Sequence, residues 1–164
     1  MLGGARSGKS RFAEQLAAAW GGPVLYVATA TAGDEEMAER IRQHRASRPA
    51  AWRTLEAPLE VARTVREQLG DARTVLVEDL TLLLSNVLLA RADGAETLAL
   101  AELEGLLGLE ARLVLVSNEV GMGLVPEYAL GRQFRDALGR LNQRAAASVD
   151  EVHFLVAGVP LRLR

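Results

Sequence analysis

Hydrophobic positions along the chain alternate between short apolar runs and longer stretches with helical spacing. The short runs are nearly continuous, which is typical of strands that are covered on both faces. We predict buried strands at residues 24–28, 75–77, 113–117 and 152–156. Between them apolar residues recur with a helical period, and we predict helices at residues 10–20, 34–46, 58–69, 80–90, 97–107 and 132–147.

This order of elements predicts an α/β fold. Strands that alternate with helices are joined by right-handed crossovers, and they form a mostly parallel sheet. Residues 158–160 predict a turn into a short final strand at 161–163, which we expect to be antiparallel. Because no repeat or linker interrupts the pattern, we expect residues 1–164 to form a single domain.

Composition excludes several kinds of site. The chain of 164 residues has no Cys, which excludes thiolate nucleophiles, disulfides and iron–sulfur clusters. Its net charge of −2 gives no electrostatic reason to expect a nucleic-acid partner. The longest uncharged run, residues 15–33, is broken by Gly21, Gly22 and Pro23. We therefore expect no membrane span and a soluble, cytoplasmic protein.

Residues 3–10 read Gly-Gly-Ala-Arg-Ser-Gly-Lys-Ser, which fits the phosphate-loop motif G-x-x-x-x-G-K-[ST]. Glycines let backbone N–H groups turn towards phosphate oxygens, and the helix that follows adds its N-terminal donors. Lys9 can reach the β- and γ-phosphates, and the Ser10 hydroxyl can hold Mg²⁺. Lys9 is the one lysine of the chain. The alternative is a glycine- and serine-rich turn without a ligand, and only Met1 and Leu2 precede the glycines.

Two carboxylates follow the predicted strand at 75–77. A carboxylate at the end of a parallel strand can hold Mg²⁺ directly or through water. Glu78 and Asp79 point to opposite sides of a strand, so we expect only one of them to do so. Asp79 is also well placed to cap the helix that begins at residue 80.

The chain has two histidines, His44 and His153. His153 lies within a predicted strand, where a packed histidine is the simpler interpretation. His44 shares a helical face with Met37 and Ile41, which by spacing alone favours a position at the edge of the core. However, neighbouring arginines suit a site where phosphate lies beside a nitrogen nucleophile.

Several motifs together resemble one protein family. They are the phosphate loop at 3–10, Tyr-Val-Ala-Thr-Ala at 26–30, the His44 stretch at 37–45 with the following Arg-Pro and Trp-Arg-Thr, Asn-Glu-Val-Gly-Met-Gly-Leu-Val-Pro at 118–126, Arg-Gln-Phe-Arg-Asp at 132–136 and Gly-Arg-Leu-Asn-Gln at 139–143. The chain resembles the bifunctional adenosylcobinamide kinase / adenosylcobinamide-phosphate guanylyltransferase family of cobalamin biosynthesis. The resemblance implies a three-layer P-loop NTPase fold of the RecA-like kind, with a C-terminal antiparallel strand.

The same resemblance implies two reactions. ATP or GTP phosphorylates adenosylcobinamide. GTP then guanylylates His44, and adenosylcobinamide phosphate takes up the GMP to give adenosylcobinamide-GDP. Mg²⁺ is the implied cofactor, held by Ser10 and Glu78, and the implied assembly is a homotrimer. Besides His44 and Lys9 as catalytic residues, the implied nucleotide contacts are Gly3, Gly4, Ala5, Arg6, Ser7, Gly8, Lys9, Ser10, Ala28, Thr29, Ala30, Arg45, Ala46, Ser47, Arg48, Glu56 and Glu78.

Other interpretations stay open at this point. A phosphate-loop kinase for another small alcohol would need Lys9 and Glu78 but not His44, and a non-catalytic nucleotide switch would need no acceptor at all. Asn118 and Glu119 follow a strand at its carboxyl end, where either substrate contact or a structural turn is expected. The arginines at 132, 135, 140 and 144 predict a solvated, salt-bridged helix face.

Overall fold

The helices and strands largely follow the order that the hydrophobic pattern predicts. The computed structural model describes residues 1–31, 35, 39, 42, 48–91 and 93–164. The strands are β1 (Leu2–Gly3), β2 (Val24–Ala28), β3 (Arg53–Glu56), β4 (Thr74–Glu78), β5 (Arg112–Leu115), β6 (His153–Val156) and β7 (Val159–Arg162). The helices are α1 (Lys9–Ala19), α2 (Val61–Gln68), α3 (Leu80–Ala90), α4 (Ala95–Leu107) and α5 (Ala129–Ser148).

Strand β2 and helix α3 agree with the predicted bounds at both ends, and the other predicted elements within the described residues differ by one to three residues at one or both ends. Strand β3 was not predicted. Its residues are mostly exposed, so the short stretch lacks the apolar run that marks the central strands. The predicted helix at 34–46 lies largely outside the described residues.

Strand β4, which ends at Glu78, is an inner strand of the parallel sheet. Strands β3, β2, β4 and β5 pair in that order and are all parallel. Strand β1 pairs in parallel with β6, and β6 pairs with β7 in the antiparallel direction, as predicted. Backbone hydrogen bonds join the two sheets, since the Ser117 N–H donates to Met1 O (2.9 Å) and the Glu119 N–H donates to Gly3 O (3.0 Å). The α/β P-loop NTPase fold is therefore confirmed, with β5 between β1 and β4.

Successive residues of the central strands supply two cores, one on each face of the sheet. Leu25 and Val27 of β2 pack in the larger core with residues of helices α2 to α5. Tyr26, between them, packs on the opposite face with Ala13 and Ala17 of α1. All residues of β2 are buried, which explains why its sequence is a continuous apolar run. Helices on both faces of the sheet make the three layers.

Within the described part of the chain, three of the four arginines of α5 form ion pairs, as predicted, and two of these pairs are with another helix. Arg140 Nε lies 2.5 Å from Glu96 Oε1, and Arg144 Nε lies 2.6 Å from Glu104 Oε1. Both glutamates belong to α4. These pairs are exposed, so solvent and salt screen them and they contribute little to stability.

Exposed apolar side chains are concentrated in two places. One is the loop between β5 and α5, with Met122, Leu124, Val125 and Tyr128, and the other is the hairpin of β6 and β7. Among the described residues, no helix has both the length and the apolar character needed to cross a membrane.

Gly3 is required where β1 pairs with β6. Its backbone has φ 151°, and a Cβ built on it would lie 2.6 Å from the carbonyl oxygen of Leu155 and 2.7 Å from Ser7 Oγ. The carbonyl belongs to the strand directly opposite, so the clash cannot be relieved by turning a side chain.

We expect Gly3→Ala to lower the free energy of unfolding by about 2–3 kcal/mol, because it combines backbone strain with a steric clash. Gly139→Ala is the matched control. Gly139 lies within α5, where a Cβ would meet nothing within 4 Å, so this change should raise stability by about 0.5–1 kcal/mol. Urea unfolding measures both. Equal stability of Gly3→Ala and wild type would contradict the packing at β1.

Candidate functional site

The phosphate loop lies between β1 and α1 at the carboxyl edge of the sheet. Gly8 has φ 96° and Arg6 has φ 56°, both in the left-handed region, so the backbone curls before the helix begins at Lys9. The Ser7 N–H donates to Gly4 O across the turn (3.3 Å). Such successive N–H groups form a concave site for an anion, and the helix N-terminus adds to it.

The hairpin of β6 and β7 packs against this loop. The Gly158 N–H donates to Ser7 O (2.9 Å), and a Cβ on Gly8 would lie 3.2 Å from the Gly158 Cα. Gly158 and Ala157 form the turn between β6 and β7, and both have positive φ. The sequence indicated this turn, but no local signal showed that it would pack against the phosphate loop.

Lys9 is buried at the mouth of the loop. Its Nζ donates to the carbonyl oxygen of Gly4 (2.7 Å), and only 7% of the residue is exposed. The ammonium group is thus placed beside the loop backbone, where a phosphate chain would pass.

The structure brings Ser10 and Glu78 together. Ser10 Oγ, in the first turn of α1, donates to Glu78 Oε1, at the end of β4 (2.5 Å). Glu78 Oε2 is buried and has no hydrogen-bond partner among the described residues. Burial is the main cause that raises the pKa of Glu78 to about 7, and the negative charges of Asp79 and Glu14 add to it. The Ser10 hydrogen bond and the Lys9 charge act in the opposite direction.

These two side chains fit Mg²⁺, a cation that prefers oxygen ligands and usually keeps several waters beside one or two protein groups. The unpartnered oxygen of Glu78 next to a hydroxyl is such a donor set. No cluster of three or more His, Cys, Asp or Glu side chains suited to a metal occurs within the described residues. Phosphate and water would supply the remaining ligands of a Mg²⁺ ion held by Ser10 and Glu78.

Asp79 has a structural position instead. Its Oδ1 accepts from the Leu82 N–H (2.8 Å), so it caps α3, as predicted. Asn118 Nδ2 lies 3.3 Å from Asp79 Oδ2 and 3.0 Å from Thr81 Oγ1. Burial raises the pKa of Asp79, and the hydrogen bonds from Leu82 and Thr81 and the charge of Lys9 oppose the shift. The geometry thus separates the two neighbouring carboxylates, with Glu78 on the phosphate-loop side.

Hydrogen bonds join Thr29, which follows β2, to Asp79, which follows β4. The Asp79 N–H donates to Thr29 Oγ1 (2.7 Å), and the Thr29 hydroxyl donates to Asp79 O (2.9 Å). Ala28 lies opposite Glu78 on one side and opposite Glu56 on the other. The predicted contacts Ala28, Glu56 and Glu78 therefore form one row across three strands.

The predicted residues after β2 are described only in part. His44, Arg45, Ala46 and Ser47 lie outside the described residues. Arg48 is described, and its guanidinium carbon lies 3.5 Å from the centre of the Tyr26 ring. Sequence reasoning did not single out Tyr26, because an aromatic residue in an apolar strand is the usual pattern of a core.

The loop after β5 is shaped by its own hydrogen bonds. Asn118 N–H donates to Thr81 Oγ1 (2.9 Å), and the Asn142 side chain donates to Asn118 O (3.0 Å). Glu119 Oε1 accepts from the Gly121 N–H (2.8 Å). These hydrogen bonds shape the loop around Asn118 and Glu119, and substrate contact by the two residues stays a prediction.

The sequence matches a known protein family over nearly its whole length. The family profile described as cobinamide kinase / cobinamide phosphate guanyltransferase matches residues 1–163. The bifunctional adenosylcobalamin biosynthesis protein CobP of Pseudomonas aeruginosa is 51% identical over 168 residues, which cover 100% of this chain and 95% of that protein. The CobU proteins of Salmonella typhimurium and Escherichia coli are 41% and 39% identical, each over 100% of this chain and 98% of the relative.

The raised pKa of Glu78 predicts a pH-dependent stability. The folded protein holds a proton on Glu78 that the unfolded chain releases near its ordinary pKa of 4.5, so stability falls as pH rises from about 4.5 to about 7. Each pKa unit corresponds to about 1.4 kcal/mol, so the shift from 4.5 to about 7 corresponds to a loss of roughly 3–4 kcal/mol. We expect Glu78→Gln, measured by urea unfolding without nucleotide and with a metal chelator, to flatten this slope. At pH 8 the variant should unfold at a higher urea concentration than wild type.

Glu119→Gln is the control for that measurement, because Glu119 lies at the same edge of the sheet but outside the contact between Ser10 and Glu78. Its stability profile should follow wild type. A slope that Glu78→Gln leaves unchanged would contradict the placement of this carboxylate.

Proposed function

We propose that this chain, which belongs to the cobinamide kinase / cobinamide phosphate guanyltransferase family, phosphorylates adenosylcobinamide and then transfers GMP from GTP onto adenosylcobinamide phosphate. One domain carries both steps in this proposal. It is supported by the family match over nearly the whole chain and by the identities to the bifunctional relatives.

The structural observation that carries the proposal is the contact between Ser10 and Glu78 beside the phosphate loop. It places a hydroxyl and a buried carboxylate at one end of the loop, with the Lys9 ammonium at the loop itself. A loop of backbone donors, a lysine and a carboxylate–hydroxyl pair are the parts that bind a nucleoside triphosphate.

In the kinase step, the aminopropanol hydroxyl oxygen of adenosylcobinamide attacks the γ-phosphorus of ATP or GTP. The bond from that phosphorus to the β–γ bridging oxygen breaks, the nucleoside diphosphate leaves, and the hydroxyl proton is released. Loop N–H groups and Lys9 stabilise the negative charge that develops on the phosphate oxygens. Mg²⁺, held by Ser10 and Glu78, would supply further neutralisation of this charge.

In the guanylyl step, an imidazole nitrogen of His44 attacks the α-phosphorus of GTP, and pyrophosphate leaves. A phosphate oxygen of adenosylcobinamide phosphate then attacks the same phosphorus, the P–N bond breaks, and adenosylcobinamide-GDP forms. Covalent catalysis divides one difficult displacement into two easier ones. Arg45, Ala46, Ser47 and Arg48 are proposed to contact the nucleotide in this step.

The remaining proposed contacts are residues at or just after the ends of β2 and β3. Ala28, Thr29, Ala30 and Glu56 are proposed to contact the nucleotide beside Glu78. The resemblance also leads us to propose a homotrimer. The exposed apolar side chains of the loop between β5 and α5 and of the β6–β7 hairpin are compatible with burial between subunits.

The guanylyl step predicts a covalent adduct. Incubation with GTP labelled at the α-phosphate, followed by denaturation, should leave label on the wild-type chain, and acid should remove it because a phosphoramidate is acid-labile. His44→Ala should retain no label. His153→Ala is the matched control, since it removes the other histidine of the chain and should label like wild type.

If wild type stays unlabelled, the guanylyltransferase half of the proposal is wrong. Phosphorylation of adenosylcobinamide by an enzyme that needs no His44 would then favour the kinase alone.

The kinase step has its own test. With γ-labelled ATP or GTP and adenosylcobinamide, Lys9→Ala should lower the rate of label transfer by about 100-fold or more, because a charge that stabilises the transition state is removed. Arg11→Ala, which removes an exposed charge two residues along the same helix, should stay within about threefold of wild type. A comparable loss in both variants would contradict a specific part for Lys9.

A further inference from the structure

Arg48 lies in a cluster built by three different elements. Its guanidinium carbon is 3.5 Å from the centre of the Tyr26 ring, and its Nη1 donates to Thr54 Oγ1 (3.3 Å). Tyr26 and Thr54 lie directly opposite each other on β2 and β3. Glu14 of α1 supplies a negative charge close to the same guanidinium. We call Glu14, Tyr26 and Thr54 the arginine seat.

Glu14 faces the same guanidinium. Burial raises the pKa of Glu14, and the positive charge of Arg48 opposes that rise. Glu14 Oε1 and Arg48 Nε are both buried and have no hydrogen-bond partner among the described residues. The face of an aromatic ring attracts a guanidinium electrostatically, and the carboxylate of Glu14 adds a charge of opposite sign.

The arginine seat adjoins the phosphate-binding edge. Glu14 lies one helical turn after Ser10, so both side chains are on the same face of α1. Tyr26 precedes Ala28 by two residues, about 7 Å along the strand, and Ala28 lies opposite Glu78. Burial is the main cause that raises the pKa of Tyr26, and the charge of Glu78 adds to it. The seat and the contact between Ser10 and Glu78 therefore share one face of the sheet.

Arg48 is also joined to His44 by four peptide units. Four residues of fully extended chain span at most ~14 Å, so any fixed position of Arg48 limits the distance from which His44 can approach.

We infer that the arginine seat is a positioning device: it anchors Arg48, and through Arg48 it keeps His44 within reach of the α-phosphorus. Glu14 and Tyr26 are positioning residues in this inference, which rests on the proposed function. They act on the guanylyl step and not on the phosphate loop itself.

The test follows adduct formation in a single turnover with α-labelled GTP at saturating concentration. Tyr26→Leu, which removes the ring, should lower the rate of labelling about tenfold, while Tyr26→Phe, which keeps a ring face, should restore it to within about threefold of wild type. The double variant Tyr26→Leu/Arg48→Ala should label as slowly as Arg48→Ala alone, because the ring acts only through the arginine. Glu14→Gln, which keeps the shape of the side chain and removes its charge, should slow labelling several-fold.

Trp20→Leu is the matched control, because Trp20 forms a cation–π contact with Arg112, whose guanidinium carbon lies 5.6 Å from the centre of the Trp20 ring. It should label at the wild-type rate. Undiminished labelling by both Tyr26→Leu and Glu14→Gln, or additive losses in the double variant, would overturn the seat while leaving the proposed function intact. An unlabelled wild type would overturn the proposed function itself.

Discussion

The burial of Glu78 against the first turn of α1 is the constraint on which the site depends. The carboxyl group stands at the end of the central strand β4, and its contact with Ser10 joins that strand to the helix that follows the phosphate loop. A carboxylate in this position is costly in the folded protein without ligands, which is why its pKa is raised to about 7. The same position places a negative charge where a cation bound to phosphate would need it.

Among the described residues, other buried polar atoms near the phosphate loop and β2 also lack a hydrogen-bond partner. Besides Glu78 Oε2, they include Ser7 Oγ, Glu14 Oε1 and Arg48 Nε. Each buried polar group that lacks a hydrogen bond costs about 1–3 kcal/mol. The two apolar cores on either side of β2 and β4 offset this cost. A polar ligand bound beside the phosphate loop and β2 would offer hydrogen-bond partners to these polar groups.

Sequence patterns predicted the features that depend on local chemistry. The phosphate loop, the capping role of Asp79 and the buried runs of β2 and β4 follow from residue types at short spacing, and the structure has them. Features that depend on contacts distant in sequence were not predictable in this way. Gly158 supports Ser7 from about 150 residues away, and Tyr26 receives Arg48 only because β2 and β3 pair in one register. Strand β3 itself escaped prediction because an exposed edge strand has little apolar signal.

One phosphate loop that serves two reactions raises a geometric problem, since the kinase step of the proposal uses the γ-phosphorus and the guanylyl step uses the α-phosphorus. The loop is poorly suited to adjust, because Gly3 is pressed against Leu155 and Ser7 is bonded to the hairpin at Gly158. Interiors packed at this density switch between discrete arrangements rather than deforming continuously. In the proposed scheme, therefore, the loop holds the triphosphate in one way, and selection between the two phosphorus atoms falls to the nucleophiles. In that scheme, an arginine anchored on Tyr26 would act on one nucleophile, the imidazole four residues before it. The other nucleophile, the corrinoid hydroxyl, would be unaffected.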